Sequence, residues 1–467
     1  MKNMPLLITL FATSHSLADP VSVGNRLELF ADDYLVKSLS GEIERKVHQP
    51  EPKEVVFTAD ASWEGNTSGY YSVFRDDDRI KLYYRGWAHK PEKIAKALHR
   101  EFACFAESRD GLRFARPELG LHEWEGNKAN NIILDDNSTH NFVAFKDTHP
   151  DCPPAARYKG IGGEKKDGGL FVYQSADGIH WKKIKDEPVI TDGAFDSQNI
   201  AFYDNHTGVY RAYYRIFSEG GTDGGEWKPK GVRAIRTSTS TDFVNWNPGR
   251  DLTYPPGTPE QHLYTNAVLP YQRAPHILIG FPTRYLPDEG QRVEPVFMMS
   301  RDGVHFTRYN EAVIPESAPA DRAGNRSNYM TWGLVQLPSE PGKLSVYATE
   351  AYYGPVPGRV RRFVYRTDGF VSFRAGENEG TILTKPLKFT GQNLVLNYSA
   401  TKGGSLVVER LDSAGKVDAI SNPLSGDSIA EPVIWNKDSN LPAEGTVTLR
   451  FRLRNADLYS LRFESDN

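Results

Sequence analysis

The chain has 467 residues, with 56 Lys and Arg against 60 Asp and Glu, a net charge of −4, and 12% aromatic residues. That length suits two or three domains with a sizeable buried core. No basic run is present to follow a phosphate backbone, which excludes nucleic acid as a partner, and two cysteines are too few for a disulfide framework or a cysteine metal site.

The N-terminus reads as an export signal. Lys2 is followed by an apolar stretch, 5–12, and by Ser16-Leu17-Ala18, a small-x-small cleavage site. Residues 1–18 are therefore expected to direct a bacterial protein to the periplasm or beyond. No later apolar stretch is long enough to span a bilayer, so no membrane insertion is expected. Residues 19–62 hold edge strands, 26–30 and 34–36, expected to pack on the next domain or help close it.

From 63 to 379 the chain repeats. Ser-x-Asp-Gly-x-x-aromatic runs from Ser108 to Phe114, from Ser175 to Trp181 and from Ser300 to Phe306. Looser copies surround Asp242 and Asp368, so the aspartates step by 67, 65, 60 and 66 residues (110, 177, 242, 302, 368). A constant period filled with short alternating strands predicts five blades of a β-propeller. A short helix is expected over 94–102. Past 380 the repeat stops, and strands at 382–389, 394–398, 405–411, 433–435, 446–453 and 458–463 predict a separate C-terminal β-sandwich of jelly-roll type, 380–467. The fold class is all-β: a five-bladed propeller, 63–379, followed by that sandwich.

The Asp-Gly turns read as structural, because a short carboxylate caps its own turn amides. Aligning the blades on these turns exposes two registers at the opposite, funnel end. Each inner strand starts at an Asn: Asn66, Asn141, Asn199, Asn266 and Asn328, joined by His140 and Gln198. The second strands end in Arg85, Glu164, Arg215, Arg284 and Glu350. Charges gathered in one concave place shift each other's pKa values, as acid–base chemistry needs. The candidate catalytic carboxylates are Glu64, Glu164, Asp196 and Glu350. The Asn, Gln, His and Arg positions, with His262, are candidate substrate ligands. No His-x-x-x-His pair supports zinc, and neither a metal nor a cofactor is expected. Cys104 lies in an alternating strand pattern that suits a buried free thiol, unpaired with Cys152.

Over about residues 60 to 375 the fivefold phrase resembles the five-bladed glycoside hydrolase superfamily, which contains families 32, 43, 62, 68 and 117. LFADDYLV, WEGNTSGYY, GAFDSQNIAFYD, HLYTNAVLPY and ILTKPLKF resemble exported bacterial proteins of family-32-like type. The resemblance implies hydrolysis or transfer at a sugar by three carboxylates on the first three blades. It matches Asp196 best and Glu64 more loosely. Blade two departs from it, with His140-Asn141 where an aspartate would stand, and Glu164 would replace the missing carboxylate. The expectation is a secreted glycoside hydrolase acting on a poly- or oligosaccharide, with Arg85, Arg215 and Arg284 suggesting an anionic sugar. A non-catalytic carbohydrate-binding propeller and a glycoside phosphorylase are the alternatives.

Overall fold

The Ser-x-Asp-Gly phrase folds into a turn that closes on its own side chains. In the first copy Asp110 accepts from the amides of Leu112 (2.8 Å) and Arg113 (3.0 Å), and the Ser108 hydroxyl accepts from that of Gly111 (2.9 Å). Asp177, Asp242 and Asp302 accept the corresponding pairs of amides. Gly111, Gly178 and Gly303 have φ of 73°, 80° and 83°, where a residue with a Cβ is strained. Blade three places Phe243 there, at φ 66°, a cost of about 1 kcal/mol offset by its burial against Phe145 and Tyr210. The fifth copy departs: Asp368 is itself left-handed (φ 60°) and takes the Tyr271 hydroxyl and Arg273.

The computed structural model describes residues 19–90, 93–221, 228–315, 328–436 and 440–465. Blade one pairs Gly69–Asp76, Arg79–Gly86, Phe102–Ser108 and Ile132–Leu134; blade two Val143–Lys146, Tyr158–Gly162, Phe171–Ser175 and Lys182–Lys183; blade three Ile200–Asp204, Val209–Gly221, Lys228–Ser240 and Arg250–Asp251. Blade four runs Leu269–Tyr271, Ala274–Gly280, Arg292–Ser300 and Phe306–Ala312, with Thr283–Leu286 and His262–Leu263 extending it. In blade five Lys343–Glu350 pairs with Arg359–Arg366, which in turn pairs with Glu51–Thr58, so an N-terminal strand completes the ring. Tyrosine hydroxyls tie neighbouring blades at the turns: Tyr83 donates to Gly178 O (3.0 Å), Tyr213 to Gly303 O (2.9 Å) and Tyr347 to Gly111 O (3.0 Å). These rings fill the space between blades, and the bond satisfies their one polar atom.

The chain divides into two compact units, Arg45–Ser372 and the residues up to Glu44 together with those from Phe373 onward. Among the described residues the elements of the second are all strands, with Asn393–Leu411 and Glu444–Glu464 paired along most of their length. Its core holds Val23, Phe30, Leu35, Phe389, Phe451 and Phe463.

Two expectations change here. Val21–Gly24 and Glu28–Leu29 do not close the ring. They pair with Leu387–Thr390 and Glu444–Glu464, because Val23, Phe30 and Leu35 are buried in that other core. The expected helix over 94–102 is absent, and Lys93–Ala97 is a strand paired with His89–Lys90, tertiary pairing having overridden a weak local propensity. The expected export signal, 1–18, lies outside the described residues. Both cysteines are free, and Cys104 is buried. Among the described residues no helix is long and apolar enough to cross a membrane.

Candidate active site

Residues from all five blades meet around one cavity of about 500 Å³, among them Arg85, His140, Asp196, Tyr264 and Tyr353. The backbone is bent to deliver them. Tyr70, Asn141, Ala267, Asn328 and Tyr353 have φ of 52°, 51°, 44°, 69° and 57°, left-handed values that non-glycine residues adopt where the surroundings enforce them.

At the cavity floor a histidine stands between two carboxylates. His140 is buried (5% exposed); its Nδ1 lies 2.7 Å from Glu101 Oε1 and its Nε2 3.6 Å from Asp196 Oδ1. Burial alone would push the imidazole down, but the hydrogen bonds to Asp196 and Glu101 outweigh it and raise it to about 9. Asn141 Nδ2 also lies 2.9 Å from Nε2, a contact that suits a neutral ring accepting there. In the imidazolium, Nε2–H turns to Asp196, and Asn141 keeps Ser197 O as acceptor (2.9 Å). Asp196 lies deep in the funnel yet is 63% exposed, because the cavity opens above it. Burial pushes its carboxyl up, and the His140 hydrogen bond with the Arg215 charge (Nη2 at 3.7 Å) overcomes that and holds it below the usual range. Glu101 is likewise held low against burial by His140.

Arg85 is clamped and buried. It donates to Asn141 Oδ1 (2.8 Å), Thr67 O (2.9 Å) and the Tyr352 hydroxyl (2.7 Å), and lies 4.7 Å from the ring centres of both Tyr70 and Trp87. Glu164 lines the same cavity beside Lys166. Asp135, also at the cavity, pairs with Arg100, yet burial raises its carboxyl above the ordinary value.

The remaining sequence candidates are placed elsewhere. Glu64 is fully buried, accepting from the Tyr84 hydroxyl, Arg116 Nε (2.9 Å) and Arg116 Nη2 (2.7 Å). Glu350 is equally buried, between Arg361 and Arg359. Neither lines the funnel cavity; each neutralises arginines within the protein. Arg284 is spent on Glu294 (2.9 Å) and Asn310. The reason is register: five residues on from the partner of each turn serine lie Arg85 (Ile80 opposite Ser108), Arg215 (Tyr210 opposite Ser240) and, in blade four, Thr283 (Leu278 opposite Ser300). Arg284 is one residue further, so its side chain leaves by the other face. His262 sits on blade four's outer extension, accepting from Arg233 N (3.1 Å), and burial with that arginine's charge lowers its pKa. Asn66, Asn199, Asn266 and Asn328 direct their amides to backbone carbonyls, and Gln198 does the same to Tyr71 O (2.9 Å).

Glu101, Asp135, Trp87 and Tyr353 reach the cavity unforeseen. Trp87 and Glu101 belong to the connection between the second and third strands of blade one, longer than the repeat requires. That excess length is the signal that could have pointed to them.

Ligating atoms of Glu101, His140 and Glu164 lie within 4.8 Å of one another. These are the residues that could hold a cation, but His140 and Glu101 already bond each other and Lys166 sits on Glu164, so no step is assigned to a metal.

No known protein family and no curated protein matches the sequence. Solved structures similar in fold include a β-1,2-mannobiose phosphorylase from Listeria innocua (12% identity, TM-score 0.46, covering 69% of this chain and 96% of that one). A thermostable family-43 glycoside hydrolase (13%, 0.45, 68% and 96%) and the catalytic domain of a Coprinopsis cinerea family-62 α-L-arabinofuranosidase (10%, 0.44, 68% and 97%) are also similar. At this distance the likeness concerns the course of the chain and carries no argument about the reaction.

Proposed function

We propose that the chain is a glycoside hydrolase that cuts a poly- or oligosaccharide in the funnel of its propeller. The observation that carries the reading is Asp196, a carboxylate open to the cavity yet flanked by His140 at 3.6 Å and Arg215 at 3.7 Å. Glycoside hydrolysis needs an ionised carboxylate, to activate water or attack the sugar, and a second carboxyl to protonate the leaving oxygen. Asp196, held below the usual range, takes the first role. Asp135, raised by burial, takes the second, with Glu164 as a third carboxyl in reach of a bound sugar. Such a division by environment is how two like groups take opposite tasks. Trp87, Tyr264 and Tyr353 at the cavity offer aromatic faces on which a sugar ring packs. Arg85 and Arg215 favour a substrate that carries an anionic group. We read residues 1–18 as an export signal, which puts the substrate outside the cytoplasm.

The test is a reducing-sugar release screen against neutral, uronate-containing and sulfated polysaccharides, with Asp196→Asn and Asp135→Asn beside the parent. Release by the parent that both variants lose supports the reading. Glycan binding without release by the parent overturns it in favour of a carbohydrate-binding propeller.

A further inference from the structure

We infer that Arg215 and Arg233 form an oxyanion subsite beside the funnel, which receives the carboxylate or sulfate of an anionic sugar. The inference rests on the glycan reading above.

The two arginines stand on neighbouring strands of blade three. Phe217 pairs with Arg233 and Arg215 with Ile235, so by the two-residue period of a strand all four side chains share one face. Tyr264 packs on that face. The guanidinium carbon of Arg215 lies 5.6 Å from the Phe217 ring centre and 5.3 Å from that of Tyr264, and that of Arg233 lies at 5.3 Å and 5.2 Å. Two cations therefore flank the same two rings.

Their counter-charge is incomplete. Elsewhere in blade three Arg211 has Asp204, and Arg236 has both Asp192 and Asp251. Arg215 has only Asp196, at 3.7 Å, and Arg233 has no carboxylate partner among the described residues; it meets His262 Nδ1 instead, through its amide and, at 3.4 Å, through Nη1. The Arg215 side chain is 4% exposed, and its Nη1 has no hydrogen-bond acceptor; Arg233 Nε has none either. Buried N–H donors are nearly always satisfied, so the arrangement lacks an acceptor. A guanidinium fork matches the paired oxygens of a carboxylate or sulfate. Tyr264 lines the cavity that holds Asp196, Arg233 lines a second pocket, and the Tyr264 ring centre lies 5.3 Å and 5.2 Å from the two guanidinium carbons, so a ligand that passes the Tyr264 ring presents a sugar to the carboxylate and an oxyanion to the arginines. Arg233, absent from every repeat register, replaces the misaligned Arg284.

The test is binding to the full chain, by calorimetric titration, of methyl glucuronide, glucose 6-sulfate, inorganic phosphate and the neutral methyl glucoside. Arg233→Gln and Arg233→Lys are run beside the parent, with melting curves to verify folding. The parent should bind at least one charged sugar about tenfold or more tightly than methyl glucoside, the scale of one charge-assisted hydrogen bond. Arg233→Gln should bring that preference to within about twofold while keeping the neutral affinity, and Arg233→Lys, which has the charge without the fork, should fall between. Equal affinities in the parent, or an unchanged preference in Arg233→Gln, overturn the subsite. Phosphate bound more tightly than either charged sugar overturns it in favour of a free-phosphate site. Absence of turnover on any glycan with the preference intact would sink hydrolysis and leave the subsite standing; turnover of neutral glycans without the preference would do the reverse.

Discussion

At the outer turns of the blades Asp110, Asp177, Asp242 and Asp302 do the same thing four times, each accepting two backbone amides. At the funnel end all five register asparagines also serve backbone carbonyls, while the imidazole and the open carboxylate at the cavity, His140 and Asp196, break the repeat. His140 and Asp196 have no counterpart in the other blades, and Glu101 comes from a connection unique to blade one. The repeated polar residue meets a requirement of the backbone common to all blades. The exception is free of that requirement and can serve a ligand.

The comparison is broken most sharply at Asp196. Asp196→Asn should lower kcat by about 10³-fold, within the usual range for an acid–base group, and leave the melting temperature nearly unchanged, since the side chain is open to the cavity. Glu64→Ala should behave oppositely. It removes the acceptor of the Tyr84 hydroxyl and the nearest counter-charge of Arg116, which keeps Asp60 at 3.1 Å, and should cost about 2 kcal/mol in denaturant unfolding, with kcat kept at temperatures where the variant is folded. Next comes Gly178→Ala, whose Cβ would meet the Tyr83 hydroxyl at 2.5 Å in a residue of φ 80°; about 2 kcal/mol of stability should be lost, and activity kept.

A pH series sharpens the contrast further. His140 holds its proton more tightly folded than unfolded, so the resulting stabilisation is complete below pH 6.5 and disappears as the pH rises through about 9. Between pH 6 and 9.5 the parent should lose about 3 kcal/mol more than His140→Gln, read by unfolding at each pH. The smallest effect belongs to Arg284→Gln. With its guanidinium spent on Glu294 and Asn310, the preference between charged and neutral sugars should stay within about twofold of the parent's. A larger change would return Arg284 to the binding surface.

The fold was legible in the sequence because it is local and repeated. A serine, an aspartate and a glycine at fixed spacing determine a turn through contacts of two or three residues, and five such turns at constant spacing determine five blades. The thiol of Cys104 and the structural task of the Asp-Gly turns follow from the same local logic. The site was legible only in part. Arg85, His140 and Asp196 line the cavity, Arg215 backs it at 3.7 Å from Asp196, and Glu164, one residue past the arginine register, lines it from beyond the end of its strand. Arg284 misses by one residue, and that single step turns a side chain to the opposite face. Glu64 and Glu350 carry the right chemical group, but tertiary packing set Arg116 and Arg361 beside them. Whether a carboxylate is buried against a cation or open to a cavity depends on which distant residue is brought to it. The strand that completes blade five, 51–58, and the separation of 21–29 into the other unit were decided in the same way, by which core each apolar face could reach.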